Sequence, residues 1–224
     1  MSELNRPIDI YFFPPSPPSR AVLLLIRALE LKHNIITTNP AAGENKTSKF
    51  LKLNPLHTIP VINDNGFILY DSHVILKYLV DVYGQDDSLY PKDPKKGAMV
   101  NLKLYFSACY LFPRFLEYHT PTVYLGHPPC DEAMDKLKDV LEHLNDFLEN
   151  QNFVAGHELT VADFSVVTII STIEAAETVN LKAFPNIWVW FQRTKKALET
   201  FGYEQINQGA QVFGKLYKNK LSAL

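Results

Sequence analysis

The first 83 residues alternate strand-like runs with helical runs. The segments "PIDIYFF" (7–13) and "NIITT" (34–38) are rich in β-branched and aromatic residues, and a strongly apolar run over 21–26 lies between them. Asn65-Gly66 separates "PVIND" from "FILYD", which predicts a β-hairpin. A short polar helix is predicted near 47–53, and apolar residues at helical spacing predict another over 72–83. The predicted order βαβαββα indicates a small α/β domain with a mixed sheet.

Beyond residue 83 the strand patterns stop. Residues 84–93 are polar and contain proline, which favours a linker, so we predict a first domain over 1–83 and a second over 94–224. Thr160 and Asp163 have capping-box spacing, and the almost wholly apolar helix after them is expected to be buried. The second domain is therefore predicted to be an all-α bundle. Its helices are predicted over 94–118, 132–150, 161–176, 185–198 and 203–214.

Composition narrows the class of protein. At 224 residues and 46% hydrophobic content the chain can form a packed core, and a net charge of -2 gives no basic field for nucleic acid. No apolar stretch approaches the roughly 20 residues of a membrane span, and residues 1–6 are polar where a signal peptide would start, so we expect a cytoplasmic protein. The two cysteines form no Cys-x-x-Cys pair and the histidines show no zinc spacing, so no metal is expected. Cys109, among aromatic residues, is expected to be buried and Cys130 exposed.

The segment "PPSPPSRAV" places two serines directly before the apolar helix. Proline disfavours helical angles in the residue before it and suits the first helical position, so the helix should begin near Pro18 with Ser16 just ahead of it. The Ser16 hydroxyl would then lie at the positive end of the helix dipole, where an anion such as a thiolate is stabilised. The alternative is that Ser16 or Ser19 only caps the helix. No histidine and carboxylate partner is apparent for a serine nucleophile, which disfavours a hydrolase triad.

Two further segments carry candidate binding groups. In "NPLHTIP", a cis X-Pro bond would turn the backbone of Ile59 outward to pair with an extended peptide, and His57 could donate to a carboxylate. In "YDSHVI", Asp71 and Ser72 precede a helix whose free N–H groups form an anion site, while Asp71 could accept from an ammonium. The ordinary alternatives are a surface histidine for His57 and helix capping for Ser72. A zwitterionic amino-acid end would use both Asp71 and Ser72.

Taken in order, these segments resemble cytosolic glutathione transferases over essentially the whole chain. The resemblance rests on Ser-Pro-Pro-x-Arg after the first strand, Asn-Pro-x-His-Thr-Ile-Pro, Asp-Ser-His and a later Leu-Thr-x-Ala-Asp box. It points to the insect delta and epsilon classes, and "LNPLHTIP", "DSHVILKYLVDVYG" and "LYPKD" favour epsilon. It implies a thioredoxin-like N-terminal domain, an all-α C-terminal domain, a homodimer, and glutathione as co-substrate. The implied function is conjugation of glutathione to hydrophobic electrophiles, as in detoxification of xenobiotics and insecticides, with peroxidase activity as a further option.

The resemblance also implies roles for individual residues. Ser16 would donate a hydrogen bond to the glutathione sulfur and favour the thiolate, and Ile59 would pair its backbone with the cysteinyl unit beside a cis Pro60. Asn45 stands where the family often has a histidine that reaches the glycyl end; an amide still donates, but weaker glutathione affinity is expected. The other implied glutathione contacts are His57 and Thr58 at the glycyl carboxylate, and Asp71, Ser72 and His73 at the γ-glutamyl end.

In this family the electrophile site lies between the first strand–helix loop, the helix after the linker and the C-terminal helix. These segments offer Phe13, Tyr105, Cys109, Tyr110, Arg114, Phe115, Tyr118 and Phe213.

Two functions other than conjugation stay open for this chain. One is a glutathione-dependent carrier of hydrophobic ligands, against which the intact Ser16 and His57 argue. The other is a steroid-hormone role, for which some epsilon-type relatives use an acidic residue on this helix; here Phe115 stands at that place.

Overall fold

The computed structural model describes residues 6–224; residues 1–5, with which the predicted first domain begins, lie outside that range. Four strands form one mixed sheet: β1 (Ile8–Phe12), β2 (His33–Thr37), β3 (Val61–Asp64) and β4 (Phe67–Tyr70). Their order is β2-β1-β3-β4, with β1 parallel to β2 and antiparallel to β3, and β3 antiparallel to β4. With helices α1 (Pro17–Ala28), α2 (Ser48–Leu51) and α3 (Ser72–Tyr83), the observed order confirms the predicted βαβαββα.

Helix α1 explains the apolar run that follows the prolines. Residues 21–26 are all buried, because α1 contacts α3 on one side and the helical half of the chain on another. A helix covered on several sides gains from apolar residues all round its circumference. The proline-rich segment is therefore a rigid strand-to-helix turn leading into the centre of the molecule.

The rest of the chain is helical, as predicted. The helices are α4 (Pro94–Phe106), α5 (Phe112–Thr120), α6 (Asp131–Phe147), α7 (Val161–Ala176), α8 (Pro185–Leu198) and α9 (Tyr203–Leu221). Short 3-10 turns occur at Pro40–Ala42, Glu44–Lys46, Leu181–Ala183 and Glu199–Phe201. Within the range that the structure describes, no helix combines the length and apolarity needed to cross a bilayer.

Helix α7 lies at the centre of this half. It contacts α1, α4, α8 and α9, and all its residues except Glu174 are buried. The predicted capping box is confirmed: the Asp163 carboxylate accepts from Thr160 N at 2.9 Å. The same carboxylate accepts from Val154 N and Trp190 Nε1, both at 2.9 Å, so one buried side chain joins the start of α7 to α8 and to the preceding loop.

One predicted helix is interrupted. The segment predicted as a single helix over 94–118 is α4, a π-helical turn at Ser107–Leu111 and then α5, with a second π-helical turn at Pro121–Leu125. Pro113 and Pro121 lack the amide hydrogen that a regular α-helical ladder needs, and each lies in or just after a π-helical turn. An extra residue in the turn rotates the helix face that follows, which matters for the site below.

Candidate active site

Ser16 is the N-cap of α1, one residue ahead of its start at Pro17. Its backbone is extended (φ -78°, ψ 115°), and its Oγ accepts a hydrogen bond from Ser19 N at 3.4 Å. The cap uses a lone pair of the hydroxyl and leaves its hydrogen available to donate. Capping and a role at a ligand are therefore compatible for Ser16.

Ser16 opens onto a cleft of about 270 Å³ between the two halves of the chain. One side of the cleft is polar and comes from the loops after β1 and β2 and before β3. The other side is apolar and comes from α5, the turn after it and α9. The polar side includes Ser16, Asn45, His57, Thr58 and Ile59, and the apolar side includes Phe112, Phe115, Leu116, Thr120, Tyr124 and Phe213. Phe13, from the loop after β1, adds a further apolar side chain to the lining.

The loop before β3 is held by a buried asparagine that sequence reasoning missed. Asn54 donates through Nδ2 to Thr58 O at 2.9 Å and to Thr58 Oγ1 at 2.8 Å, while its Oδ1 accepts from Leu56 N. His57, at φ +48°, is exposed, and the Ile59–Pro60 peptide bond is cis. The Asn-Pro dipeptide was the available sequence signal, because asparagine readily hydrogen-bonds the backbone two residues on.

Asn45 supports the same loop from the other side. It is buried, and its Nδ2 donates to His57 O at 2.6 Å. Its Oδ1 has no hydrogen-bond partner among residues 6–224. The amide therefore fixes the backbone at His57, whereas the sequence suggested only a direct reach to a ligand.

The end of the β3–β4 hairpin carries the third group of predicted residues. Val61 pairs with Tyr70, so Pro60 and Asp71 leave the sheet side by side. Asp71, at φ +72°, caps α3: its Oδ1 accepts from His73 N at 3.0 Å and from Val74 N at 3.2 Å. The His73 imidazole beside it lowers the pKa of the Asp71 carboxyl, which is therefore charged at neutral pH. An exposed carboxylate here suits an ammonium group.

Ser72 and His73 face different surroundings from Asp71. Ser72 is buried at the first position of α3. His73 Nε2 lies 3.1 Å from Ser165 Oγ on α7, so its ring contacts the helical half of the chain. Neither side chain lines the cleft, nor does Asp71; the three residues follow β4, the edge strand of the sheet.

Three of the eight residues predicted for the electrophile site line the cleft: Phe13, Phe115 and Phe213. Tyr105, Cys109 and Tyr110 are exposed and do not line it, so the expectation that Cys109 is buried was wrong, while Cys130 is exposed as expected. Tyr105 lies before the π-helical turn at Ser107–Leu111 and Cys109 and Tyr110 lie within it, whereas the residues of this segment that line the cleft lie after it, on α5 and the turn that follows. The turn interrupts the single helix that the sequence predicted over 94–118, so the residues of this segment that face the cleft begin beyond it.

The two remaining predicted residues are also outside the lining. Arg114 Nη1 donates to Glu117 Oε2 at 2.6 Å on the surface, and Glu117 also contacts Lys136. Tyr118 is buried behind the cleft wall, with its hydroxyl 3.3 Å from that of Tyr217. The wall residues that sequence reasoning missed are Phe112, Leu116, Thr120 and Tyr124.

A larger cavity, of about 760 Å³, lies between the linker, the start of α4 and the loop over 155–160. None of the predicted site residues lines it. Groups of three or more metal-ligating side chains are not found within residues 6–224. Of the predicted site residues, those that share a cavity lie at the smaller cleft, which includes Ser16 and His57.

Comparison with known proteins identifies the family. Residues 15–82 match the family described as Glutathione S-transferase, N-terminal domain, and residues 111–196 match Glutathione S-transferase, C-terminal domain. The chain is 40% identical to Glutathione S-transferase D6 of Drosophila melanogaster over 84% of its own length and 87% of that protein. The chain belongs to the glutathione S-transferase family. Conjugation of glutathione to electrophiles is the general function of this family, and this member is a glutathione transferase by the same evidence.

Solved structures agree on the fold and the insect type. A delta-class glutathione transferase from Nilaparvata lugens is 44% identical with a TM-score of 0.90, covering 96% of this chain and 100% of that one. An epsilon-class glutathione S-transferase from the housefly, Musca domestica, is 35% identical with a TM-score of 0.89, covering 95% and 98%. The thioredoxin-like domain with a helical second domain is thereby confirmed. The preference for the epsilon class is not confirmed, because the delta-class structure is the more similar of the two.

Proposed function

We propose that this glutathione transferase binds glutathione along the polar side of the 270 Å³ cleft, with its sulfur at Ser16, and takes a hydrophobic electrophile against the apolar side. The observation that carries the proposal is the position of Ser16. Ser16 is the N-cap of α1 and lines the same cleft as the apolar Phe115 and Phe213. A sulfur placed there has a hydrogen-bond donor on one side and an apolar reaction space on the other.

The stabilisation of the thiolate that is required at Ser16 is small in free energy. Lowering a thiol pKa by about 2 units from roughly 8.5 requires nearly 3 kcal/mol of differential stabilisation of the thiolate. A hydroxyl donor and a helix N-terminus can supply this together. The thiolate then attacks an electrophilic carbon, forms the carbon–sulfur bond and displaces the leaving group with its electron pair. Holding the two reactants in one cleft accounts for much of the remaining acceleration.

The rest of the tripeptide is assigned by charge and by backbone geometry. Asp71 accepts from the γ-glutamyl ammonium, and Ser72 with the N-terminus of α3 receives the neighbouring carboxylate; His73 supports Asp71 by its adjacent imidazole. The backbone of Ile59 before the cis proline pairs with the cysteinyl unit. His57 and Thr58, both exposed beside Asn45, serve the glycyl carboxylate. These roles divide the two halves of the chain into a glutathione domain over 1–83 and, beyond the linker 84–93, a domain over 94–224 that carries much of the electrophile wall.

Substitution of Ser16 tests this proposal. Ser16→Ala should lower conjugation of an aryl halide by at least about tenfold, about 1.4 kcal/mol of transition-state stabilisation, with an unchanged circular-dichroism spectrum. Ser19→Ala is the matched control, since Ser19 lies in the same turn and its hydroxyl is buried away from solvent. Wild-type activity in Ser16→Ala refutes the role given to Ser16.

The structure favours a detoxification-type conjugase over the two other functions. The cleft lining contains no Asp or Glu among residues 6–224. By the resemblance, the place of the acid that contacts sterol in some epsilon-type relatives is taken by the apolar Phe115, which lines the cleft. Tight binding of dyes or steroids without conjugation across a broad panel of electrophiles would support the carrier function instead. The epsilon class rests on the three quoted segments and stays a proposal, as does a cytoplasmic location.

We propose a homodimer on the evidence of exposed apolar side chains. Large hydrophobic residues on β4, α3 and α4 are exposed, which an interface between two copies would cover. They are Phe67, Val74, Met99, Leu102 and Tyr105. Leu102→Arg should convert the dimer to a monomer in light scattering, whereas Val189→Arg, at an exposed apolar residue of α8, should not. A wild-type protein of monomer mass contradicts the assignment.

A further inference from the structure

Arg20 carries a completely buried guanidinium one helical turn after Ser16. Its side chain crosses from α1 into the helical half of the chain and is held there by hydrogen bonds. Nη1 donates to Ser171 Oγ at 3.2 Å and to Asn207 Oδ1, and Nη2 donates to Thr168 O at 3.1 Å and to Thr172 Oγ1. The guanidinium therefore joins α1 to both α7 and α9.

All of these partners are neutral. Within residues 6–224 no Asp or Glu carboxylate forms an ion pair with Arg20. The titratable group that affects the pKa of Arg20 is the Tyr203 phenol of α9, which raises it. Burial raises the pKa of Tyr203 and keeps the phenol neutral, and the nearby carboxylates of Glu174 on α7 and Glu204 on α9 also raise this pKa. Burial lowers the pKa of Arg20 to about 9, so the guanidinium remains charged at neutral pH.

A buried charge without a counter-charge is costly, and proteins rarely keep one. The position of the Arg20 side chain relative to Ser16 indicates where a counter-charge can lie. Side chains on a helix lean toward its N-terminus, which for Arg20 is the end that carries Ser16. A Cβ placed on Gly209 of α9 would lie 3.1 Å from Arg20 Cδ and 1.9 Å from Pro14 O, so the Arg20 stem runs beside the loop that leads into Ser16.

We propose that Arg20 supplies a buried positive charge that stabilises the thiolate of glutathione at Ser16, and that this thiolate is its missing counter-charge. Arg20 touches no reacting atom in this account and is a positioning residue for charge. The inference rests on the proposed binding mode, in which the glutathione sulfur lies at the N-terminus of α1. The expected size follows from helix geometry. A unit charge roughly 10 Å from the sulfur, at an effective dielectric constant of about 20, lowers a thiol pKa by about one unit.

Asn207→Asp tests the charge without removing the side chain that holds it. The substitution puts a carboxylate where Arg20 Nη1 already has its acceptor, so it neutralises the guanidinium and keeps the contact. The pKa of the enzyme-bound glutathione thiol, read from the ultraviolet absorbance of the thiolate and from the pH profile of kcat/KM, should rise by about one unit. Conjugation at a pH below that pKa should fall about tenfold. The thermal midpoint should not fall.

Gln205→Glu is the matched control. It makes the same charge change on the same helix, beside Arg27, whose Nη1 donates to Gln205 Oε1 at 2.7 Å in an exposed position. It should leave the thiol pKa at the wild-type value. A wild-type thiol pKa in folded Asn207→Asp overturns the proposal, and so does an equal shift in both variants, which would reflect net charge alone.

A second pair keeps the test decisive if Asn207→Asp does not fold. Arg20→Lys retains the charge with fewer hydrogen bonds and should keep the wild-type thiol pKa, whereas Arg20→Met should raise it. A raised thiol pKa in both variants shows that hydrogen bonding, not charge, is what matters and overturns the proposal. Ser16→Ala separates the two claims: if it leaves the thiol pKa unchanged while Asn207→Asp raises it, the role of Ser16 fails and that of Arg20 stands.

Discussion

Removal of the Asn45 amide should weaken glutathione binding without preventing conjugation. The Nδ2 of Asn45 donates to His57 O at 2.6 Å, and the side chain is buried, so Asn45→Ala leaves that carbonyl without its support. A hydrogen bond of this kind contributes about 0.5–1.5 kcal/mol net, which corresponds to roughly a two- to twelvefold change in an equilibrium constant. Because His57 and its neighbours serve the glutathione side of the cleft, we expect the KM for glutathione to rise by that factor while kcat changes less.

Three variants and one assay decide this prediction. Initial conjugation rates at varied glutathione, with a fixed saturating electrophile, give the two parameters separately. Asn45→Asp should be worse than Asn45→Ala, because it turns a donor into a negatively charged acceptor that faces a carbonyl. Asn39→Ala is the control: it removes a side chain of the same loop whose Oδ1 caps Ala41 N and does not reach His57. An unchanged KM for glutathione in folded Asn45→Ala would refute the reasoning.

Further predictions concern the wall of the cleft and the core. Phe213→Ala should raise the KM for a hydrophobic electrophile about tenfold and leave that for glutathione unchanged, whereas Tyr110→Ala, outside the cleft, should change neither; equal effects would contradict the assignment of the wall. Burial lowers the pKa of His119 to about 4 from its ordinary 6.5, so protons bind the unfolded chain more tightly. The free energy of unfolding should therefore fall by up to about 3 kcal/mol as the pH drops from 6.5 to 4, and urea titrations of His119→Gln should lack this loss. Asp163→Ala should lower the free energy of unfolding by at least about 4 kcal/mol, because it leaves three buried donors, two backbone amides and one indole N–H, without an acceptor. A loss below about 1 kcal/mol in urea titrations would contradict the contacts described.

Local rules predicted the parts of the site that depend on neighbours in sequence. Proline geometry placed the start of α1 near Pro18, one residue after the observed start at Pro17, with Ser16 just ahead of the helix. The Asn65-Gly66 hairpin fixed the register of β3 and β4, which brings Pro60 next to Asp71. Short turns and caps are set by the residues within them, so they can be derived from sequence alone.

Features that depend on a helix irregularity or on distant packing were not predictable in this way. Tyr105, Cys109 and Tyr110 were expected in the electrophile site because the resemblance places that site on the helix after the linker, and the π-helical turn at Ser107–Leu111 that interrupts this helix was not predicted. The burial of Arg20 depends on partners about 150 or more positions away, and a sequence pattern gives no sign of them. Asn45 was chosen for the correct location, but its bond to His57 O required the folded loop.

The central claim is that the Ser16 hydroxyl faces the sulfur of glutathione. A crystal structure of the protein with glutathione bound tests it most directly, through the distance from Ser16 Oγ to the sulfur and the direction of the open space beside it. We expect a hydrogen-bonding distance, with the Phe115 and Phe213 side of the cleft open to the sulfur. Glutathione bound elsewhere, or bound in the cleft with its sulfur beyond hydrogen-bonding reach of Ser16, would contradict it.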